Sequence, residues 1–175
     1  MRSSQLATLV FILLAAFAAI HFSQLYPQLP GTVASHFDAH GRANGWQSKS
    51  SFLAVFVGVS VLSAVIGFGI PRVLTVIPVQ IINLPNKEYW LAPERRAESL
   101  DFLAASFAWL GCGMYAFVIF VFDYSIQATL HPQHPPEISR ILYSGLAFVA
   151  WVLFWIVRLL AHFGRVRQSW GPVTF

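Results

Sequence analysis

Four apolar segments are the feature that most constrains this chain. A helix needs about 20 predominantly apolar residues to cross the roughly 30 Å hydrocarbon core of a bilayer. Segments of this kind lie at residues 6–25, 52–70, 102–122 and 141–161. Only 10% of the residues are charged and 57% are hydrophobic, too little polar surface for a water-soluble globule. We therefore predict an all-α polytopic membrane protein and exclude a soluble enzyme and a nucleic-acid-binding domain.

The predicted architecture is a single membrane domain over residues 1–175, a four-transmembrane-helix bundle with a structured extracytoplasmic loop. Its helices are expected at about 5–25, 51–71, 98–123 and 140–162. They are separated by an outer loop at 26–50, an inner connection at 72–97 and a second outer loop at 124–139. The first span also fits a cleaved secretory signal peptide, with Arg2, an apolar stretch and Ala16-Phe17-Ala18. Continuation of the apolar sequence to Leu25 favours a retained helix.

Basic residues indicate the orientation of the bundle. Of the 11 Lys and Arg residues, only Arg42, Lys49 and Arg140 lie in the predicted outer loops. The remainder lie at the N-terminus, in the inner connection or near the C-terminus, and they include Arg165 and Arg167. Because Lys and Arg are enriched in cytoplasmic segments, both termini are expected in the cytoplasm.

Small residues predict where the helices pack. In lipid, helices associate through small side chains that let their backbones approach. Small residues recur every fourth position along the third span, and Ser63 and Gly67 form a similar pair on the second. The third-span residues are Ala104, Ala108, Cys112 and Ala116. These stripes predict contacts within the bundle or, as an alternative, a homo-oligomer interface.

The outer loop carries the most patterned polar sequence. Residues 32–37 are expected to form a short strand or to follow the membrane surface, and residues 38–41 and Asn44-Gly45 have turn chemistry. His36, Trp46 and Lys49 are the candidate residues for a ligand or signal. His36 and His40 have the spacing of zinc ligands on a helix, and His21 could be a third ligand. The turn residues between them favour a structural role, and we expect no metal site.

The inner connection contains a second candidate site. Pro71 is expected to end or kink the second helix, Asn86 to cap a short turn and Pro93 to take the first position of the third helix. The aromatic and basic residues that follow suit a cytoplasmic docking surface or, equally, an anchor at the membrane interface. These residues are Tyr89, Trp90, Arg95 and Arg96.

Two sequence blocks resemble a known family. Leu29-Pro30, His36-Phe37, Gly41, Trp46 and Lys49 look like the signature of the domain-of-unknown-function 1648 family. Residues 83–91 and 93–96 are similar to a second block found in many members. The resemblance extends to SdpI-like immunity and signal-transduction proteins, which carry a further multi-helix region. It implies a bacterial cytoplasmic (inner) membrane protein that protects against a membrane-active toxin and sequesters a repressor at the membrane. No catalytic residues are implied.

The functional prediction is a non-enzymatic sensor or immunity module, without a cofactor, that responds to membrane-active peptide or envelope stress. Its expected partners are the lipid bilayer, a peptide toxin and a cytoplasmic regulator or membrane protein, but not nucleic acid. One alternative is a transport component with a path lined by the polar residues of the helices. The candidates for such a path are Ser60, Ser63, Ser106 and Ser144. Another alternative is a structural subunit of a larger membrane complex.

Overall fold

Four long helices and one β-hairpin form the protein, whose computed structural model describes residues 3–165. The elements in chain order are α1 (Ser3–Leu25), a 3₁₀ turn (Tyr26–Gln28), β1 (Thr32–Phe37), β2 (Ala43–Ser48), α2 (Lys49–Ala64), a π turn (Val65–Gly69), α3 (Ile70–Val76), a 3₁₀ turn (Val79–Ile81), α4 (Lys87–Trp90), α5 (Arg96–Leu130) and α6 (Ile138–Phe163). Four helical segments are long and apolar enough to cross a membrane: 3–28, 49–76, 96–130 and 138–163. The predicted all-α polytopic membrane fold is confirmed. Arg2 and Arg167, which were used to predict the orientation, lie outside the described residues.

Helix α5 is the central element of the bundle, because α1, α2, α3 and α6 all pack against it. Between α1, α2 and α5 the core is aromatic, and the rings of Phe22 and Phe56 stack with centroids 4.1 Å apart. On another face of α5, the Trp155 indole of α6 donates a hydrogen bond to the Ser106 carbonyl at 2.7 Å. Close packing around one long helix explains why these apolar segments form a bundle.

The predicted small-residue contacts are only partly present. Ala108 and Cys112 of α5 are buried against Ala7 of α1, and the Cys112 thiol approaches the Ala7 carbonyl at 3.2 Å. Gly67 of the π turn is buried against Gly111. Ala116, by contrast, is exposed and contributes to no such contact. The small residues of α5 therefore make helix–helix contacts over only part of the stripe.

The second helix does not end at Pro71. It passes through the π turn and continues as α3 to Val76. Proline lacks an N–H donor, and in a regular α-helix its ring clashes with the carbonyl of the residue four positions earlier. In the π turn the Ile70 N–H reaches back to the Val65 carbonyl, so the widened turn accommodates Pro71.

The third helix is longer than predicted at its C-terminal end. It begins at Arg96, so Pro93 precedes it, and it ends at Leu130, where residues 124–139 were expected to form a loop. The hairpin covers this extension, because the Ala34 N–H donates to the Thr129 hydroxyl at 3.0 Å. The Phe37 ring also packs edge-on against Tyr124. Burial by the hairpin allows polar residues to continue the helix beyond the apolar span.

The outer loop folds into an antiparallel pair of β1 and β2, which confirms the strand predicted at residues 32–37. The turn between the strands contains Asp38 and Gly41, and Gly41 has φ +79°. The second predicted turn, Asn44-Gly45, is wrong, since both residues lie in β2. Gly45 pairs with His36, and a Cβ there would lie 2.9 Å from the His36 Cβ. Glycine is thus needed for close approach of the two strands.

Candidate functional site

The three candidate residues of the outer loop do not form one cluster. His36 and Trp46 are both exposed, but His36 faces Gly45 across the strands whereas Trp46 pairs with Ala34. The strand register shifts between Ala34 and His36, so the two candidate side chains belong to separate cross-strand pairs on either side of an irregularity. Lys49 lies beyond the hairpin, at the first position of α2. The hairpin therefore presents His36 and Trp46 as separate exposed side chains.

Lys49 contacts the end of the first helix. Its ammonium donates to the Leu29 carbonyl at 2.9 Å and lies 4.6 Å from the centre of the Tyr26 ring. A charged donor of this kind satisfies a carbonyl that has no partner within the helix. Lys49 thus joins the start of α2 to the end of α1.

The turn of the hairpin is held by Asp38. Its carboxylate accepts hydrogen bonds from the backbone N–H groups of His40 at 2.8 Å and Arg42 at 2.9 Å. Both bonds lower the pKa of Asp38 from its ordinary value of 3.8, and the bond from Arg42 has the larger effect. His40 is exposed in this turn and not on a helix. Among residues 3–165, no group of three or more His, Cys, Asp or Glu side chains is arranged to hold a metal ion.

The four candidate docking residues join the ends of three helices. The Arg96 guanidinium donates to the Thr75 carbonyl at 3.3 Å, near the end of α3. The Trp90 indole donates at 2.9 Å to the carbonyl of Phe163, the last residue of α6. Arg95 lies over the Tyr89 ring, 4.0 Å from its centre. These contacts fix the connection between α3 and α5 to the bundle while leaving Tyr89 and Arg95 half-buried at its surface.

Asn86 lies at the N-cap position of α4, as predicted, but it caps that helix only through its carbonyl, which accepts from the Tyr89 and Trp90 N–H groups. It has φ 52°, and its side chain makes no hydrogen bond to that helix. The Asn86 amide instead donates at 2.9 Å to the same Phe163 carbonyl that Trp90 contacts. The end of α6 is consequently capped by two side chains from the preceding connection.

A pair of ionisable side chains joins α1 to α5 near the end that carries the hairpin. The His21 Nε2 lies 2.8 Å from the Asp123 Oδ1, which accepts the hydrogen bond. The Gln127 amide donates to the same oxygen at 3.3 Å. His21 and Asp123 are 31% and 36% exposed, so they remain accessible at the surface of the bundle. Ionisable residues within membrane-spanning segments are costly and typically mark a functional site.

The pair closes one end of a groove of about 350 Å³ between α1 and α5. The rest of the lining is apolar and consists of Leu14, Phe17, Ala116, Ile119 and Phe120. The Phe17 ring stacks on His21 with centroids 5.4 Å apart. The groove is apolar along its length and has a carboxylate and an imidazole at one end, an arrangement that suits binding of an amphiphile. Sequence reasoning missed this site, although two ionisable residues within apolar spans were a visible signal.

The four serines proposed for a transport path have local roles. The hydroxyls of Ser60, Ser63 and Ser144 donate to carbonyls of their own helices, at 2.7–2.9 Å. Ser106 is fully buried within the bundle, and its carbonyl accepts from Trp155. These contacts stabilise helices and do not join the serines to one another.

Comparison with protein families gives one match. Residues 10–61 match the family described as domain of unknown function (DUF1648). The matched segment contains most of α1, the hairpin and most of α2, including His21, His36, Trp46 and Lys49. No curated protein and no solved structure matches the chain.

Proposed function

We propose that the protein is a non-enzymatic sensor or immunity module of a bacterial cytoplasmic (inner) membrane. The hairpin would meet a membrane-active peptide or another envelope stress, and the connection between α3 and α5 would engage a cytoplasmic regulator or a membrane protein. Both termini would lie in the cytoplasm. The uneven distribution of Lys and Arg supports this orientation, and the DUF1648 match supports a membrane protein of this general kind.

The observation that carries the proposal is the continuity of α5. This helix runs from Arg96 to Leu130 without interruption. At one end Thr129 binds the hairpin backbone, and at the other Ser99 donates to the Trp90 carbonyl at 2.7 Å. At 1.5 Å per residue, a helix of this kind extends about 50 Å. A displacement of the hairpin would therefore be transmitted to the connection through one rigid element.

Survival of a strain that lacks the protein, challenged with a panel of membrane-active peptides, tests the proposal. The strain is complemented with wild type, His36→Ala, Thr129→Val or the double variant Arg95→Ala/Arg96→Ala. Thr129→Val removes the acceptor of the Ala34 N–H at nearly constant volume, whereas the control Thr32→Val alters an exposed position of β1. Membrane levels of each variant are measured by immunoblot.

We expect wild type and Thr32→Val to protect the strain. Thr129→Val and the double arginine variant are expected to lose protection at equal membrane levels. Loss of protection in His36→Ala would show that the His36 side chain belongs to the surface that meets the peptide. Equal survival of the deletion strain and the complemented strain against every peptide would contradict the immunity role. Co-purification of a regulator with wild type but not with the double arginine variant would identify the partner at the other end of α5.

A further inference from the structure

The groove between α1 and α5 has an acceptor that the protein leaves open. Both His21 and Gln127 contact Oδ1 of Asp123. Within residues 3–165, no hydrogen bond reaches its second oxygen, Oδ2. An ionised carboxylate is an acceptor with about four lone-pair sites, so Asp123 can accept an N–H donor from a ligand.

The electrostatic character of this end of the groove favours a cation. Neither Lys nor Arg lines the groove, so the His21 imidazole is the one basic side chain beside the Asp123 carboxylate among the described lining residues. Phe17, which is 54% exposed beside His21, adds the face of an aromatic ring. Aromatic faces and carboxylates both attract ammonium groups, most strongly where water is scarce.

The remainder of the groove suits a hydrocarbon chain. Leu14 and His21 are seven residues apart on α1, and Ala116 and Asp123 are seven apart on α5, so the lining extends about 10 Å along both helices. The flanking side chains Leu13 and Ile20 are each 60% exposed and face the surroundings of the bundle. In a bilayer, this groove would open sideways towards the acyl chains. The molecules beside such a groove in a bilayer are phospholipids, and some phospholipid headgroups carry a cationic ammonium.

We propose that this groove binds a phospholipid with a primary-amine headgroup, chemically a phosphatidylethanolamine. Its ammonium donates to Asp123 Oδ2, and one acyl chain lies along the apolar lining between Leu14 and Ala116. A primary ammonium supplies N–H donors, whereas the quaternary ammonium of phosphatidylcholine has none. The site is independent of the proposed immunity or sensing role, since it concerns lipid selection by the folded bundle.

Native mass spectrometry of the purified full chain tests the proposal. The protein is exchanged into mixed micelles with equimolar phosphatidylethanolamine, its N-methyl and N,N-dimethyl derivatives, phosphatidylcholine and phosphatidylglycerol. Retention by wild type is expected to fall stepwise with methylation, with at least a fivefold preference for phosphatidylethanolamine over phosphatidylcholine. This comparison needs no variant. Equal retention across the methylation series would overturn the proposal.

Two variants, each with a matched control, then locate the binding site. Asp123→Asn is expected to abolish the preference, whereas Glu98→Gln, which removes a carboxylate at the other end of α5, leaves it unchanged. Ala116→Leu fills the groove and is expected to lower retention of every lipid, while Ala54→Leu, at an exposed position of α2, does not. A preference that survives in both Asp123→Asn and Ala116→Leu would place the lipid elsewhere and overturn the assignment. The assignment would also be overturned if the protein showed no headgroup preference and a cationic membrane-active peptide displaced the lipid.

Discussion

Gly67 and Gly111 bring two helical backbones into direct contact. A Cβ placed on Gly111 would lie 2.8 Å from the Cα of Gly67 and 3.0 Å from the Ser63 carbonyl oxygen. Neither neighbouring group is a flexible side chain, so the backbones themselves would have to separate. This contact fixes the distance between the π turn and α5.

Gly111→Ala is therefore expected to destabilise the bundle by about 1–3 kcal/mol, the usual cost of excess volume in a packed interior. Gly58→Ala is the matched control, since nothing lies within 4 Å of a Cβ at that position of α2. The free energy of unfolding in mixed micelles, followed by circular dichroism, measures both. Equal stability of the two variants would show that the helices separate without cost.

Lys49→Met is expected to lower the free energy of unfolding by about 1–3 kcal/mol, because the Leu29 carbonyl loses its charged donor. Lys49→Arg retains a cation and should recover part of the loss. Arg42→Met, in the exposed turn of the hairpin, is the control for removal of positive charge. A Lys49→Met protein with unchanged stability but no protective activity would instead make Lys49 a contact for the signal.

The hairpin turn is expected to loosen in acid through Asp38. Its folded-state pKa is below 3.8, so the carboxylate stabilises the turn fully above that value. The contribution is lost as pH falls below 3.8 and through the lower folded-state pKa. Amide exchange of His40 and Arg42, compared with that of an α2 amide over the same pH range, measures the change. Asp38→Asn should remove this acid dependence, and its persistence in that variant would assign it to another group.

Trp90→Phe and Asn86→Gly are expected to show coupled effects, because both side chains donate to the Phe163 carbonyl and glycine tolerates the φ of 52° at position 86. Each single variant leaves one donor in place and should cost less than about 1 kcal/mol, whereas the double variant leaves the carbonyl unsatisfied and should cost about 1–3 kcal/mol. Trp46→Phe controls for loss of an indole at an exposed site. Strictly additive losses in unfolding experiments would mean that the two donors act separately.

Hydropathy was sufficient to identify the four long helices, because each must present apolar side chains over the thickness of a bilayer. It could not locate the end of α5. Tyr124, Ser125 and Thr129 have the composition of a loop, and only the hairpin packed over them makes a helical continuation favourable. The length of α5 thus depends on a tertiary contact that hydropathy does not record.

The candidate site was less accessible from sequence. His21 and Asp123 are 102 positions apart, and their individual environments gave no indication that they meet. Lys49 and Trp90 were recognisable as unusual residues, yet the carbonyl groups that they contact belong to distant helix ends. Side-chain chemistry was therefore predictable, while its partners required the three-dimensional arrangement.

The π turn also constrains which changes in chain length the protein can tolerate. It holds one residue more than an α-helical turn, so deletion of one residue from Val65–Gly69 would restore an ordinary α-helical turn. The Pro71 ring would then conflict with the carbonyl four positions earlier, so α3 would bend or end there and the Thr75 carbonyl would move away from Arg96. Hydrophobicity would hardly change. The loop at residues 131–137 can gain or lose residues freely by comparison, so insertions and deletions at these two places should have opposite effects on assembly.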